Sequence, residues 1–258
     1  MGVFALELVN WWPWYKRIEE LFGFNAADDQ RAGDVLSRIA PPCTVAEDEV
    51  RGMLEGRTII VFGCGPSLDR NIAEIVAVGL QKRYRLLAAD GATTALLRNA
   101  LIPSLVASDL DGRLCDIKTT NDRGSVIAIH AHGDNIEKLK QYASSFRGRV
   151  LCTTQVAPRR AVHNFGGFTD GDRCVFIAEH VGAARLALAG MDFGKVVGKY
   201  SKPGHKSSFR ASPTKVKKLR VAKRLIGWLA NRTETEILNI TGTEATIPGV
   251  QNVEYTSL

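Results

Sequence analysis

Short apolar runs that alternate with amphipathic segments predict most of the fold. Thr58–Phe62 is a continuous run rich in β-branched residues, which is typical of a strand buried on both faces. Similar runs predict further strands at 85–89, 104–108, 126–130, 150–153 and Arg185–Ala189. Segments with helical spacing lie at 69–78, at 171–181 and after the capping pair Ser212-Pro213. This alternation predicts an α/β fold, a Rossmann-like and mostly parallel sheet covered by helices on both faces.

The N-terminal part of the chain differs in pattern from the rest. An aromatic cluster at 11–15 (WWPWY) precedes two helical patterns, and Pro41-Pro42 ends the second because proline lacks a hydrogen-bond donor. We therefore expect residues 1–55 to form a helical appendage and residues 56–258 to form one α/β domain that ends in a basic loop and helix. The aromatic cluster either grips a ligand or fastens the appendage to the domain, and fastening is the simpler interpretation.

Composition is that of an ordinary globular protein, with 45% hydrophobic and 24% charged residues. No apolar run approaches the roughly 20 residues that span a bilayer, and the N-terminus lacks the features of a secretory signal. The five cysteines are odd in number and lack metal-type CxxC spacing, which indicates reduced thiols. These features lead us to expect a cytoplasmic protein without a membrane partner.

The formal net charge of +7 is concentrated in one segment. Eleven of the 34 lysines and arginines lie between residues 195 and 224, where there is no acidic residue. The part at 198–210 is rich in glycine, serine and lysine, which predicts a mobile basic loop. Such a segment indicates a polyanionic partner, and composition alone leaves nucleic acid, a membrane surface and a triphosphate open.

Glycine, aspartate and histidine residues stand where the predicted strands end. The turn 63–67 follows the first strand, Asp90 follows the second, Asp109 and Asp111 follow the third, and His130 ends the fourth. In parallel sheets ligands bind beyond the carboxyl ends of the strands, near the point where the strand order reverses. We therefore expect these residues to share one site.

The acidic residues of this group are suited to a hard cation. In an extended segment residues i and i+2 point the same way, so Asp109 and Asp111 would face one ion, and Asp90 would complete the site. Mg²⁺ prefers such carboxylates and keeps water and phosphate oxygens among its ligands. The alternative is that Asp90 or Asp111 only caps the following helix or turn.

The turn Gly63-Cys64-Gly65-Pro66-Ser67 lies between a predicted strand and a predicted helix. Glycines there allow backbone N–H groups to approach an anion, and the helix N-terminus adds a positive partial charge. The turn lacks the third glycine of a dinucleotide fingerprint and the Gly-Lys-Ser/Thr ending of a Walker A loop. It either binds nucleotide phosphate or is a plain tight turn, and its position at a strand end favours phosphate.

Two further stretches are candidates for substrate contacts. The stretch 130–135 (HAHGDN) is compatible with zinc, although contacts with substrate or phosphate, with Asp134 supporting the metal, are favoured over it and over a structural turn. In the glycine-rich stretch 164–173, Phe168 could stack on a planar ring and Asp170 could accept two hydrogen bonds from an amino-heterocycle. Capping is the alternative for Asp170.

Seven motifs, in chain order GCGPSL, ADGA, SDLDG, HAHGDN, TTQ, FTDGDR and GMDFG, resemble those of archaeal-type 6-hydroxymethyl-7,8-dihydropterin pyrophosphokinases. The acidic core is also similar to that of thiamin pyrophosphokinases. The resemblance implies that ATP and 6-hydroxymethyl-7,8-dihydropterin give AMP and the pterin diphosphate, on the route to folate or methanopterin cofactors. It implies Mg²⁺ held by Asp90, Asp109 and Asp111. One departure is Ser104, where an aspartate that supports the metal loop is expected in relatives.

The resemblance and the motifs together suggest a role for each candidate residue, in a reaction that depends mainly on positioning and electrostatics. ATP is expected to contact Gly63, Gly65, Pro66, Ser67, Lys202 and Lys206. The hydroxyl proton is expected to pass to Asp134 or to a metal-bound carboxylate. The pterin is expected to contact His130, His132, Asn135, Thr154, Gln155, Asn164, Phe168, Asp170 and Asp192.

Three other functions compete with this one. A flagellin-modifying glycosyltransferase family that resembles sialyltransferases shares the GxGPSL turn but lacks the DLDG motif, so a nucleotide-sugar-dependent glycosyltransferase is the first alternative. A basic nucleic-acid-binding module at 195–224 would leave the acidic residues unexplained. A pterin or nucleotide sensor would bind without turnover. A homo-oligomer is compatible with the sequence, which does not determine the oligomeric state.

Overall fold

The computed structural model describes residues 8–243 and 246–258. The first seven residues of the predicted N-terminal segment therefore lie outside the described part of the chain. The helices are, in chain order, α1 (Leu8–Phe22), α2 (Ala26–Ile39), α3 (Glu47–Leu54), α4 (Leu68–Ala77), α5 (Ala92–Arg98), α6 (Leu114–Asp122), α7 (Ile136–Tyr142), α8 (Asp170–His180) and α9 (Pro213–Ala230).

The strands form one large sheet and one small antiparallel ribbon. They are β1 (Thr58–Phe62), β2 (Arg85–Ala89), β3 (Leu105–Ser108), β4 (Val126–Ala131), β5 (Val150–Thr154), β6 (Val162–His163), β7 (Arg185–Ala189), β8 (Val196–Val197), β9 (Phe209–Arg210), β10 (Glu236–Asn239) and β11 (Gln251–Asn252). The large sheet has the order β11-β10-β7-β1-β2-β3-β4-β5-β6, and every neighbouring pair in it is parallel. The predicted α/β fold is confirmed.

The strand order reverses beside β1. The chain runs outward from β1 through β2, β3, β4 and β5, then returns through α8 and adds β7 on the other side of β1. The crevice beyond the carboxyl ends of β1 and β7 is therefore the switch point, where open α/β sheets bind their ligands.

Helices cover the two faces of the sheet with separate apolar cores. One core combines the sheet with residues of α1, α3, α8 and α9, among them Trp11 and Phe176. The other combines it with residues of α2 and α4 to α7, among them Leu36 and Ile72. The central strands are buried on both faces, which explains why their sequences are continuous apolar runs and do not alternate.

Helix α9 begins as the capping pair predicts. Ser212 Oγ accepts a hydrogen bond from the backbone N–H of Lys215 at 3.1 Å, and Pro213 occupies the first helical position, where its missing donor is not needed. Within the described ranges, no helix combines the length and the apolar character needed to cross a bilayer.

Five short strands lie outside the predicted elements. Strand β10 has four residues and extends the sheet beyond β7, and β6, β8, β9 and β11 have two residues each. Strand β9 lies within the segment 198–210 that was expected to be a mobile loop. Segments of this length are too short to show a hydrophobic period, and tertiary pairing decides their conformation.

Ser104 stands at the opposite edge of the sheet from the acidic residues. It lies just before β3, where its N–H donates to Leu86 O at 2.7 Å, whereas Asp109 follows the other end of the strand. The strand lies between the two positions, which are five residues apart and therefore separated by roughly 16 Å. Ser104 therefore does not bear on the metal loop, and the loss of support implied by the family resemblance is wrong.

The aromatic cluster fastens α1 to the sheet domain, as the simpler interpretation predicted. Trp11 is fully buried, its Nε1–H donates to Gln155 O at 2.8 Å, and its ring meets Phe176 edge-on with centroids 6.5 Å apart. Trp14 makes a similar contact with Trp228 of α9 at 6.1 Å. The N-terminal helices are thus part of the same apolar core as α8 and α9.

Replacing Trp11 by alanine should lower the free energy of unfolding by about 3–5 kcal/mol, because it empties a buried site and breaks the bond to Gln155. The matched control is Trp12→Ala, since Trp12 is 37% exposed, and the loss should stay below about 1 kcal/mol. Urea denaturation followed by circular dichroism measures both. Equal losses for the two variants would show that α1 does not contribute to the core through Trp11.

Candidate active site

The carboxyl ends of the strands surround a cavity of about 380 Å³ at the switch point. Its wall contains the turn after β1, the residues that follow β2, β3 and β5, the turn after β4 and the segment after β7. The start of α8, the loop 199–205 and the first turns of α9 form the remaining sides. The predicted convergence of the strand ends around one place is therefore observed.

Three carboxylates converge in this wall. One oxygen from each of Asp90, Asp109 and Asp170 lies within 4.8 Å of the other two. Asp90 follows β2, Asp109 follows β3, and Asp170 is the first residue of α8, so three separate elements supply them. In the described part of the chain, no other group of three histidine, cysteine or acidic side chains has this spacing.

Asp111 does not belong to this acidic cluster. Leu110 has a left-handed backbone with φ of 66° and a buried side chain, so residues 109–111 form a turn. The N–H of Asp111 donates to Asp109 Oδ1 at 3.1 Å, and its carboxylate lies at the edge of the cavity, 3.4 Å from Lys202 Nζ. The predicted extended conformation of residues 109–111 is therefore wrong, and Asp170 is the third carboxylate of the cluster.

Neighbouring side chains hold two of the three carboxylates. The hydroxyl of Ser108 donates to Asp90 Oδ2, while Asp90 Oδ1 is buried without a partner among the described residues. His132 Nε2 lies 3.2 Å from Asp109 Oδ2. Because the N–H of Asp134 donates to His132 Nδ1 at 3.3 Å, the ring proton is on Nε2, and the imidazole donates to Asp109.

Burial and mutual repulsion change the proton affinity of the acidic cluster. Burial, with the charges of Asp109 and Asp111 adding to it and a hydrogen bond from Ser108 opposing it, raises the pKa of Asp90 to about 7. Burial and the same neighbouring charges hold the pKa of Asp170 well above its usual range. Burial also acts to raise the pKa of Asp109, but the hydrogen bond from His132 contributes to a net pKa below the usual value.

A hard divalent cation fits this arrangement. Three carboxylate oxygens are the donor set that Mg²⁺ prefers, and the cation would take up the unpartnered oxygen of Asp90. Its charge would also offset the repulsion that raises the pKa of Asp90 and Asp170.

The glycine turn after β1 packs directly against the turn after β7. Gly63 N–H donates to Ala189 O at 2.8 Å, and Gly65 N–H donates to Gly190 O at 2.7 Å. A Cβ at Gly65 would lie 1.7 Å from Asp192 Oδ2 and 2.6 Å from Gly190 O, so only glycine fits there. These glycines permit close backbone packing. Their two N–H groups donate to backbone carbonyls, so they are not free to bind phosphate, contrary to the expectation from the sequence.

Asn135 braces the turn after β4. Its Nδ2 donates to His130 O at 2.7 Å and to Asp109 O at 2.9 Å, and its Oδ1 accepts from the N–H of His132 at 3.1 Å. His130 is only 2% exposed, and burial, together with the charge of Arg173, places its pKa well below the usual range. The ring of His130 is therefore neutral at physiological pH.

Aromatic and basic side chains form another part of the wall. The ring centroids of Phe24 and Phe168 lie 6.2 Å apart, and Lys218 Nζ lies 5.5 and 5.6 Å from them. Lys215, one turn earlier on α9, also lines the cavity, and neither lysine has an ion-pair partner among the described residues. Sequence reasoning missed Phe24, Lys215 and Lys218. The only signal was the i, i+3 spacing of the lysines within the basic segment.

The structure places the other candidates in three locations: on the cavity wall, buried behind it, or exposed outside it. The residues on the wall are His130, His132, Asp134, Gln155, Phe168, Asp192 and Lys202. The residues buried behind it are Ser67, Asn135, Thr154 and Asn164. The exposed residues that lie outside the wall are Pro66 and Lys206.

The fold is shared with a larger sugar-transferring enzyme. The MAf glycosyltransferase from Magnetospirillum magneticum AMB-1 superimposes with a TM-score of 0.55 over 79% of this chain and 34% of that chain. The two sequences are 15% identical, so the similarity establishes the class of α/β fold alone.

Sequence comparison identifies the family. Residues 41–198 match the family described as 6-hydroxymethylpterin diphosphokinase MptE-like, and the chain belongs to this family. It is 41% identical over 234 residues to a protein of Methanothermobacter thermautotrophicus, covering 90% of this chain and 99% of that protein. It is 39% identical to proteins of Methanocaldococcus jannaschii and Pyrococcus furiosus, covering 90% and 89% of this chain and 100% and 96% of theirs. All three relatives are named 6-hydroxymethyl-7,8-dihydropterin pyrophosphokinase, so the predicted family is confirmed.

The raised pKa of Asp90 predicts how the metal-free protein responds to pH. A carboxyl whose pKa in the folded state is about 7 and whose unfolded value is 3.8 stabilises the fold fully at low pH, and this contribution disappears as the pH rises through 7. In EDTA, the free energy of unfolding should fall between pH 4 and pH 8, and Asp90→Asn should reduce that fall by roughly 2–4 kcal/mol.

The measurement is urea denaturation of both proteins at several pH values. Asp122→Asn is the matched control, because Asp122 is exposed and is not among the charges that raise the pKa of Asp90. A wild-type protein and an Asp90→Asn variant with the same pH dependence would contradict the burial of a titrating Asp90.

Proposed function

We propose that this chain transfers the pyrophosphoryl group of ATP to the hydroxymethyl group of 6-hydroxymethyl-7,8-dihydropterin, giving AMP and the pterin diphosphate. The observation that carries the proposal is the acidic cluster in the wall of the cavity, in a chain whose relatives bear the name of this pyrophosphokinase. Pyrophosphokinase activity is the part that the names of the relatives support directly. ATP as donor, Mg²⁺ and a place in folate or methanopterin cofactor synthesis are the finer parts of the proposal.

We assign the Mg²⁺ ligands to Asp90, Asp109 and Asp170, the three carboxylates within 4.8 Å of one another. This set differs from the one that the family resemblance implied, because Asp170 takes the place of Asp111. Bound Mg²⁺ would neutralise phosphate oxygens and the charge that develops on the departing AMP. His132, which donates to Asp109, would keep that carboxylate ionised and oriented.

Basic side chains on the other walls would bind the triphosphate. Lys215 and Lys218 line the cavity and have no carboxylate partner within residues 8–243 and 246–258, so phosphate oxygens can approach them without breaking an ion pair to that part of the chain. Lys202 pairs with Asp111 across an exposed 3.4 Å contact, which is worth at most about 1 kcal/mol and can be exchanged for phosphate. A triphosphate would therefore account for the lysines of the basic segment that line the cavity.

The aromatic part of the wall would hold the pterin. Phe24 and Phe168 offer apolar faces to a planar ring, and His130 and Gln155 supply polar atoms from the strand ends. Holding the hydroxymethyl group in line with the β-phosphorus would provide most of the rate enhancement, because phosphoryl transfer depends on positioning. Asp134, exposed at the edge of the cavity, stays the candidate that would accept the hydroxyl proton.

The alternative functions have less support. The likeness to a glycosyltransferase at 15% identity concerns the fold alone, so glycosyl transfer stays a prediction that no feature of the site favours. A sensor would bind pterin or nucleotide without needing a cluster of buried carboxylates. Both alternatives are tested by the assay that tests the proposal.

Incubating the protein with ATP, Mg²⁺ and 6-hydroxymethyl-7,8-dihydropterin should release AMP, and chromatography separates AMP from ADP. Asp170→Asn should lower kcat/KM by about 100-fold or more, because it removes a charged ligand from the cluster. Asp111→Asn makes the same chemical change just outside the cluster and should lower kcat/KM less than about tenfold.

Each outcome of this assay distinguishes the proposed metal site or reaction from one alternative. Equal losses in the two variants would return Asp111 to the metal site, and release of ADP would indicate a simple kinase. Transfer from CMP- or UDP-sugars without AMP release from ATP would favour the glycosyltransferase. Binding of the dihydropterin without any product would favour the sensor.

A further inference from the structure

A buried carboxylate on α2 has no direct part in the proposed reaction. Asp29 is 4% exposed, and its oxygens accept hydrogen bonds from Tyr15 Oη, Gly133 N and Gln155 Nε2, each at 2.7 Å. These three donors belong to α1, to the turn after β4 and to the residue that follows β5. Asp29 is therefore a buried, fully hydrogen-bonded acceptor that joins the N-terminal helices to two strand ends of the cavity.

The bond from Gln155 fixes the orientation of its side-chain amide. The NH₂ group faces Asp29, and a half-turn of the amide would place its carbonyl oxygen against a carboxylate, acceptor against acceptor. The backbone of Gln155 is held as well, since its carbonyl accepts from Trp11 Nε1 at 2.8 Å. Gln155 lines the cavity, so the side-chain group that remains available for a ligand is a carbonyl acceptor.

His130 lies beside Gln155 on the same wall. Against the larger effect of burial, which lowers the pKa of His130, a hydrogen bond between the two side chains acts to raise that pKa. Because Asp29 holds the NH₂ group of Gln155, only the carbonyl oxygen of Gln155 can take part in that bond, and its second lone pair remains for a ligand.

We infer that Asp29 is a positioning residue for substrate specificity, which locks Gln155 as an acceptor so that Gln155 recognises an N–H donor on a heterocycle. The amino group of a 2-amino-4-oxo pyrimidine ring, the ring present in a pterin, is such a donor. A ring that offers no donor at this position would leave the buried carbonyl of Gln155 unpaired and would be rejected. The identity of the ring rests on the proposed function, whereas the lock on Gln155 rests on the hydrogen bonds of Asp29.

The test is Asp29→Asn, which changes one atom and little of the shape. Asparagine can still accept from Gly133 N through its oxygen, but its NH₂ group then faces Gln155 and drives the Gln155 amide to turn. The turned amide would present a donor to the cavity. KM for the dihydropterin should rise about tenfold or more, while KM for ATP and kcat should stay within about twofold.

The preference between two pterin substrates is a second measurement, and it would not change if Asp29 had only a structural role. The wild-type enzyme should prefer 6-hydroxymethyl-7,8-dihydropterin strongly over its 2-deamino analogue, and Asp29→Asn should reduce that preference by the same factor as KM rises. Asp28→Asn is the matched control at the neighbouring position, where the carboxylate is exposed and pairs only with Arg31 at 2.8 Å. It should leave both KM values and the preference unchanged.

The outcomes separate failure of this inference from failure of the proposed function. An Asp29→Asn enzyme with an unchanged preference between the two pterins, or with equal changes in KM for both substrates, would overturn the inference while the reaction stands. If Asp29→Asn does not fold, as near-ultraviolet circular dichroism would reveal, Gln155→Leu removes the acceptor itself, and an intact preference there would overturn the inference. A wild-type protein that forms no AMP from the dihydropterin would refute the proposed function and, with it, the assigned ring.

Discussion

Three carboxylates held within 4.8 Å of one another in a buried wall are the constraint on which the rest of the site depends. Burial, together with repulsion between like charges at this distance, raises the pKa of Asp90 and Asp170 and so increases their affinity for protons. A folded chain keeps such an arrangement only if its surroundings are rigid. Here hydrogen bonds at the strand ends hold two of the three groups: Ser108 donates to Asp90, His132 donates to the carboxylate of Asp109, and Asn135 donates to the backbone carbonyl of Asp109.

The parallel sheet is what makes the convergence possible. Every strand of the large sheet points the same way, so the residues after β2 and β3 emerge at one edge, next to each other. The third carboxylate comes from the return of the chain toward β7, because α8 begins at Asp170 over that edge before it packs on the sheet. Thr169 and Asp172 cap the N-terminus of α8, which leaves the side chain of Asp170 available to face the other two carboxylates.

The outcome for individual residues shows what a sequence can predict about such a site. Strand ends are predictable from apolar runs, and for that reason Asp90 and Asp109 were placed correctly beside each other. The choice between Asp111 and Asp170 depends on a left-handed backbone at Leu110 and on where α8 starts in space, and neither follows from hydrophobic pattern. The role of Asp29 could not be predicted for a related reason, because its hydrogen-bond partner Gln155 is 126 residues away along the chain.

The two halves of the cavity have different origins in the chain. The acidic cluster and the glycine turn lie within residues 41–198, the part that matches the family. Phe24 and Asp29 precede that part, and Lys215 and Lys218 follow it, so one of the two aromatic rings, the carboxylate that orients Gln155 and two lysines of the wall come from the ends of the chain. The N-terminal helices are therefore more than an appendage to the sheet. They join the apolar core through Trp11, and through Asp29 they determine which way one polar group of the cavity points. A parallel sheet of this kind supports both this family and a glycosyltransferase. The choice of substrate therefore depends on the parts of the cavity wall that lie outside the sheet.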